Sequence, residues 1–139
     1  MHIPSDTCVD LALVQRLEAA QAAQNREFTP PGGVLEAASG VALFHGPGSP
    51  LSQALGLGLA GPVGDAELDR VEAHLGQGGG PVQLELLPWA APSLAALLGA
   101  RGCRIAASST QPATGSQRNM ERQGFRIAYP KVVMVRERA

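Results

Sequence analysis

The run GSQRNMERQGFRIAY at residues 115–129 lies in the last part of the chain, and the order of structural elements is clearest around it. Residues 116–123 predict a helix that begins at a serine hydroxyl and ends at Gly124, because glycine readily adopts the left-handed conformation of a helix end. Short apolar runs predict a strand over 103–109 before this helix and a last strand over 132–135 after it. The closing part therefore predicts a strand–helix–strand unit.

A first helix is predicted over residues 10–28, in the leading part of the chain. Apolar positions there, including Leu11, Val14 and Leu17, recur at three- and four-residue steps. Asp10 offers a side-chain oxygen that can accept from the free N–H groups of the first turn. Periodicity and cap agree on where this helix begins.

A second helix is predicted to start at Asp65, where Leu68, Val71 and Leu75 fall on one face and acidic residues fill the first turn. It ends at the glycine cluster 76–80. Because this cluster follows a helix instead of opening one, we predict a flexible link there and not a phosphate cradle.

The predicted strands are short apolar runs bounded by Gly and Pro. Two of them are separated by Ala38-Ser39-Gly40, which predicts a hairpin whose turn uses Gly40. The predicted strands cover 34–37, 41–45 and 81–88, and a short helix is predicted over 94–98. The glycine-spaced apolar run 51–59 favours a further strand, with a loose helix as the alternative. The pattern predicts an α/β (α+β) fold with a mixed, mostly antiparallel sheet flanked by helices.

Composition limits the class of protein. The chain has 139 residues, 45% hydrophobic and 17% charged, with 17 Gly and 11 Pro. This length suits a single domain over 1–139, with a leading part at 1–102 and a closing part at 103–139. The frequent Gly and Pro exclude a coiled coil. Neither a signal peptide nor an apolar run of about 18 residues is evident, so we expect a cytoplasmic protein.

Charge is divided unevenly along the chain. Residues 1–100 hold ten acids and three arginines, a net charge of −7, whereas residues 101–139 hold eight cations and two acids, a net charge of +6. The closing part should therefore attract anions. Nucleic acid is not the partner we expect, because the arginines are not interleaved with aromatic residues, which make up 4% of the chain.

Cysteine and histidine spacing does not predict a metal or redox site. The two cysteines, Cys8 and Cys103, are far apart in the chain and predict free thiols in a reducing compartment. His2, His45 and His74 have no partner at metal-ligand spacing. We therefore predict solvated surface histidines and no bound metal.

The closing run resembles the carboxy-terminal motif of the GNAT N-acetyltransferases, over residues 103–136, and the leading part is similar to that family more loosely. The resemblance implies a GNAT-like fold that transfers an acetyl group from acetyl-CoA to an amine by direct attack, without a metal. It implies that Ser116 and Asn119 lie beside the pantetheine and pyrophosphate of acetyl-CoA. Thr110 and Gln111 would then flank the acyl group.

Two positions depart from the family's pattern. The family's Gln/Arg-x-x-Gly-x-Gly/Ala segment lies between the fourth strand and the next helix and offers backbone N–H groups to the pyrophosphate. In chain order residues 87–93 take this place, and they contain two prolines and no glycine. Many members also carry a tyrosine, as general acid, where this chain has Met120. Replacement candidates are Tyr129, otherwise a core tyrosine, and Glu85, otherwise an exposed strand carboxylate.

These departures leave two functions open. The first is an N-acetyltransferase with acetyl-CoA and an amine as partners. The alternative is a non-catalytic, GNAT-derived interaction or regulatory module that lacks a working cofactor loop. One hypothesis for the departures is that a longer acetyltransferase lost its middle near residues 100–105. The predicted sheet edges are compatible with a homodimer.

Overall fold

A mixed sheet with helices on both faces forms the framework of the protein. The computed structural model describes residues 10–107 and 131–137. The helices are α1 (Leu11–Glu27), α2 (Asp65–Leu75) and α3 (Pro92–Ala100), and the strands are β1 (Val34–Ala37), β2 (Gly40–Leu43), β3 (Gln53–Leu55), β4 (Val82–Leu86), β5 (Arg104–Ala107) and β6 (Val132–Arg136). In this part of the chain, no helix has the length and apolar character needed to cross a membrane.

The described strands form one six-stranded sheet in the order β1-β2-β3-β4-β6-β5. β3 and β4 run parallel, with Ala54 opposite Leu84, and the other described pairs are antiparallel. A parallel pair needs a crossover connection, and α2 provides it here. The predicted fold class, a mixed and mostly antiparallel sheet flanked by helices, is confirmed.

The main core lies between one face of the sheet and helices α2 and α3. The predicted face of α2 is confirmed, because Leu68, Val71 and Leu75 are fully buried. They pack in one cluster with Leu94 and Leu98 of α3 and with the strand residues on that face, Ala42, Ala54, Leu84 and Met134. Helix α1 covers the opposite face, where Val41, Leu43 and Leu55 pack with Ala22.

Helix α1 forms where predicted, but it turns a different face to the sheet. The Asp10 side chain caps it by accepting from the Leu13 N–H at 2.8 Å. Val14 is buried, whereas Leu11 and Leu17 remain 40% and 42% exposed. The buried face instead includes Glu18, a choice that helical periodicity of apolar residues cannot predict.

The predicted hairpin is confirmed, but its turn does not use Gly40. Ala37 pairs with Gly40, so Ala38 and Ser39 alone form the turn, with φ of 56° and 62°. Two left-handed residues make the turn that matches the twist of a hairpin. Gly40 serves a different purpose: a Cβ there would overlap the carbonyl oxygen of Leu55.

Replacing Ser39 by glycine should stabilise the domain. A non-glycine residue in the left-handed region costs about 1 kcal/mol, so Ser39→Gly should raise the free energy of unfolding by about that amount. The Ser39 hydroxyl also donates to the Ala38 carbonyl at 2.6 Å. Ser39→Ala, which loses this bond but keeps the backbone strain, is the matched control in urea denaturation. Equal stabilities of the two variants would contradict the expectation.

The segment predicted as one long strand, residues 51–59, contains only the three residues of β3. Gly56 and Gly58 follow with φ of 71° and 75°, so the chain leaves the sheet directly after Leu55. Gly58 also packs closely, because a Cβ there would lie 3.2 Å from Leu94 Cδ2. The result is a glycine-rich loop between β3 and α2.

The glycine cluster after α2 is a packed turn, and the prediction of a flexible link is wrong. Residues Gln77–Gly79 form a 3-10 turn. A Cβ at Gly80 would lie 2.6 Å from the Gly48 nitrogen, and one at Gly78 would overlap the Pro47 ring. The cluster therefore allows two loops to touch.

Candidate functional site

A cleft of about 450 Å³ opens between α1 and the end of the sheet that carries the β1–β2 turn. The Gln15 amide on α1 donates to the Leu59 carbonyl at 3.0 Å and so ties α1 to the loop after β3. Residues of this loop, of α1 and of the hairpin line the cleft. Its volume falls in the range of small-molecule sites.

Beside the cleft lies a buried ionic cluster formed by Glu18, Glu85 and Lys131. The Lys131 ammonium lies 2.9 Å from Glu85 Oε2 and 3.4 Å from Glu18 Oε1, and it donates to Gln21 Oε1 at 2.8 Å. Glu18 is 3% exposed and Glu85 7%. Buried carboxylates require such partners. The cluster therefore holds α1, β4 and the residue before β6 together.

Among the sequence-predicted site residues, Glu85 is the one that the structure describes. The expectation that it is an exposed strand carboxylate is wrong, because it faces α1 from β4 and is ion-paired with Lys131. It does not line the cleft, whereas Glu18 does. The role of Glu85 as a base for an amine stays a prediction. The other predicted site residues lie outside the described residues, and these are Thr110, Gln111, Ser116, Asn119 and Tyr129.

The described histidines are half-buried and hydrogen-bonded, so the prediction of solvated rings is wrong for both. His45 Nε2 lies 3.0 Å from Thr29 Oγ1, and His74 Nε2 lies 2.7 Å from the Gly33 carbonyl oxygen. Both rings hold loops at the base of the hairpin. Within residues 10–107 and 131–137, no group of three His, Cys, Asp or Glu residues is arranged to hold a metal ion.

The loop after β3 contains a feature that sequence reasoning missed. Residues 53–58 read Gln-Ala-Leu-Gly-Leu-Gly, the Gln-x-x-Gly-x-Gly spacing that was sought at residues 87–93. The run begins in β3, a strand of the parallel pair, and its two glycines lead toward the N-terminus of the crossover helix α2. The available signal was the glycine spacing ahead of the helix start at Asp65. The prediction of one strand over residues 51–59 hides this glycine spacing.

The hydrogen bonds of this loop limit what it can bind. The Gly58 N–H donates to the Ala38 carbonyl at 3.0 Å, and the Gly58 carbonyl accepts from Ala91. Helix α2 has Gly64 as its N-cap residue and no side-chain cap, and its first turn carries Asp65 and Glu67. Acidic side chains in a first turn compete with an external anion for the helix N-terminus.

Arg101 connects α3 to α2 on the far side of the sheet from the cleft. Its guanidinium lies 2.9 Å from Asp65, 2.9 Å from Asp69 and 3.0 Å from Glu72. These carboxylates, Asp65 first, raise the pKa of Arg101 above its ordinary value. These ion pairs fasten the C-terminal end of α3 to α2.

The neighbouring thiol of Cys103 should react slowly. Burial, and secondly the Glu72 carboxylate, raise the pKa of Cys103, so its thiolate fraction near neutral pH is reduced. In a Cys8→Ser background, we expect alkylation by iodoacetamide at about pH 8 to be slower than for an exposed cysteine, and to accelerate as pH rises. The same variant unfolded in urea is the control. Equal rates in the folded and unfolded protein would contradict the assignment.

Three features therefore lie along α1: a cleft, a buried ionic cluster and a glycine-containing loop that leads into α2. The cleft and the loop share Gly56 and Leu59, and the cleft and the cluster share Glu18. A ligand in the cleft would contact both neighbours. Comparison with known proteins finds no matching family model, no matching curated protein and no matching solved structure.

Proposed function

We propose that this domain is a GNAT-like N-acetyltransferase that transfers the acetyl group of acetyl-CoA to an amine. The observation that supports the proposal is the glycine-containing segment at 53–58, which begins in β3, the first strand of the parallel pair, and precedes the crossover helix. Ligands of open sheets with such crossovers bind outside the strand ends. The resemblance of residues 103–136 to the family's closing motif is the second support.

In the proposed reaction, the lone pair of a neutral amine attacks the thioester carbonyl carbon. The carbon–sulfur bond then breaks, the thiolate leaves, and the proton lost by the amine balances the one that the thiolate takes up. Backbone N–H groups that polarise the carbonyl, together with positioning, would supply most of the rate. We assign cofactor contacts to Thr110, Gln111, Ser116 and Asn119, and Tyr129 is the proposed acid.

The second candidate is a non-catalytic, GNAT-derived interaction or regulatory module. The commitment of the Gly58 N–H to Ala38 favours it, because that group is then not available to a phosphate. Asp65 and Glu67 at the start of α2 favour it as well, because they oppose a bound pyrophosphate. Glu85, one candidate base, is ion-paired with Lys131 and does not line the cleft, which favours the module as well.

Calorimetric titration of the full chain with acetyl-CoA separates the two candidates. The acetyltransferase proposal expects saturable binding that Asn119→Ala or Ser116→Ala weakens by about tenfold, the equivalent of one lost hydrogen bond. Gln117→Ala, on the same predicted helix, is the matched control and should bind normally. Absence of heat at millimolar acetyl-CoA would rule out the enzyme and leave the module.

A further inference from the structure

Strand β1 forms one edge of the sheet, and among the described strands β2 alone pairs with it. Antiparallel strands alternate between residue pairs that exchange backbone hydrogen bonds and pairs that do not. The Phe44 N–H donates to the Gly33 carbonyl at 2.8 Å, which fixes the phase of this alternation. The N–H and C=O groups of Val34 and Glu36 therefore point away from β2. They form a row of two donors and two acceptors along the edge.

This edge lacks the features that keep an edge strand from pairing with another chain. Residues 34–37 contain neither proline nor lysine, and their register with β2 has no bulge. The Val34 side chain is 38% exposed. The one charged side chain, that of Glu36, forms an ion pair with Arg26 of α1, which offsets its charge. An approaching strand therefore meets hydrogen-bonding groups and little opposing charge.

The sequence of β1 is complementary to itself. When two copies pair antiparallel with Leu35 opposite Leu35 on the two-fold axis, each Val34 lies opposite a Glu36, and both outward residues are paired. One neighbouring register places Glu36 opposite Glu36, and like charges directly opposite each other are unfavourable. The other places Glu36 opposite Gly32, where φ is 81° and the backbone is not extended. The charge and backbone of this strand thus favour a single symmetric register.

We propose that the β1 edge binds the β1 edge of a second copy of this chain, so that the two six-stranded sheets continue as one. The half-buried Leu35 side chain, which packs against the main core, would be covered by its counterpart. Phe28 adds apolar area: it is 71% exposed and precedes Thr29, whose methyl group lies close to Gly33 at the start of β1.

The proposed contact has a consequence for the cleft. Glu36 and Arg26 both line the cleft, so Val34 of the second copy would lie at its more exposed side. Four-residue strands give a small interface, and we expect a weak dimer with a dissociation constant of about 100 µM. The inference does not depend on binding of acetyl-CoA.

Two variants of Val34 test the pairing in sedimentation equilibrium. Val34→Lys puts an ammonium group opposite Glu36 of the second copy, whereas Val34→Glu puts a carboxylate there, and each dimer contains two such pairs. Val34→Lys should therefore dimerise about tenfold more tightly than Val34→Glu. Ile105→Lys and Ile105→Glu are the matched controls, because they make the same changes of net charge at an exposed residue of β5, at the far end of the strand order. These two should dimerise equally.

Amide hydrogen exchange of the unaltered chain locates the contact without any substitution. The fraction of monomer falls from about 60% at a chain concentration of about 50 µM to about 20% at about 1 mM, if the dissociation constant is about 100 µM. The amides of Val34 and Glu36 should then exchange about threefold more slowly at the higher concentration. The Leu35 amide, which faces Ala42 of β2, is the internal control and should change less.

A chain that stays monomeric at about 1 mM overturns the proposal. Equal dimerisation of Val34→Lys and Val34→Glu overturns it as well, and so does a dimer that leaves the exchange of the Val34 and Glu36 amides unchanged. If the two Ile105 variants differ as much as the two Val34 variants, the contact lies at β5 and the proposal is wrong. Each of these outcomes leaves the acetyl-CoA titration, and with it the proposed function, to be decided separately.

Discussion

Gly40→Ala should lower the free energy of unfolding by about 3 kcal/mol, a large cost for one methyl group. The added Cβ would lie 2.8 Å from the Gly56 carbonyl carbon and 2.9 Å from the Leu57 nitrogen, and closer still to the Leu55 carbonyl oxygen. All three atoms belong to backbone at the end of β3, which cannot rotate away as a side chain does. The β2–β3 pairing must therefore open to admit the methyl group.

Gly99→Ala is the matched control for this measurement. Gly99 lies inside α3, and a Cβ there meets nothing within 4 Å. Alanine in a helix interior is favoured over glycine by about 1 kcal/mol, so this variant should gain stability in the same urea denaturation series. A Gly40→Ala protein within about 0.5 kcal/mol of the parent would show that the strands adjust freely.

Local sequence patterns are sufficient to predict the elements whose stability depends on residues close together in the chain. The α2 helix was predicted because Leu68, Val71 and Leu75 recur at helical spacing and face one core. The hairpin was predicted from two apolar runs around a short turn. In both elements the signal and the structure that it predicts occupy the same short segment.

Contacts distant in sequence explain the errors. Helix α1 turns Glu18 inward because Lys131 lies there, 113 residues further along the chain, and apolar periodicity contains no such information. The local pattern that predicts Gly40 in the turn contains nothing about the end of β3, the backbone that lies against Gly40. The apolar run over 51–59 predicts a longer strand than β3, because apolar pattern does not show that Gly56 and Gly58 take the left-handed conformation and end the strand.

The candidate site shows the same division between local and distant information. Alanines at 19, 22, 37 and 38 carry no functional signal in the sequence, and they form a cleft only once α1 lies against the hairpin. Glu85 was considered as a base on residue type alone, and only the fold shows that Lys131 occupies its carboxylate. Residue type suggests which side chains could belong to a site, and the packing of the fold determines which of them lie in contact.

Lys131→Met should destabilise the domain by about 4 kcal/mol, because it leaves Glu18 and Glu85 buried without their shared ammonium. Methionine keeps the aliphatic stem of lysine and so limits the loss to the charge and its hydrogen bond to Gln21. Urea denaturation measures the change. Lys131→Arg retains the charge and should lose much less stability. A loss below about 1 kcal/mol for Lys131→Met would mean that water reaches the carboxylates.

A double variant tests whether the two carboxylates cause the cost of removing the charge at this position. If the cost of Lys131→Met comes from two carboxylates left facing each other, adding Glu85→Gln removes one of them and should restore about 2 kcal/mol. Alone, Glu85→Gln should cost less than Lys131→Met, because Lys131 keeps Glu18 and Gln21 as partners. If the double variant is no more stable than Lys131→Met, the cost of Lys131→Met does not come from the two carboxylates left without the ammonium. The ionic cluster would then not be what holds α1 against the sheet.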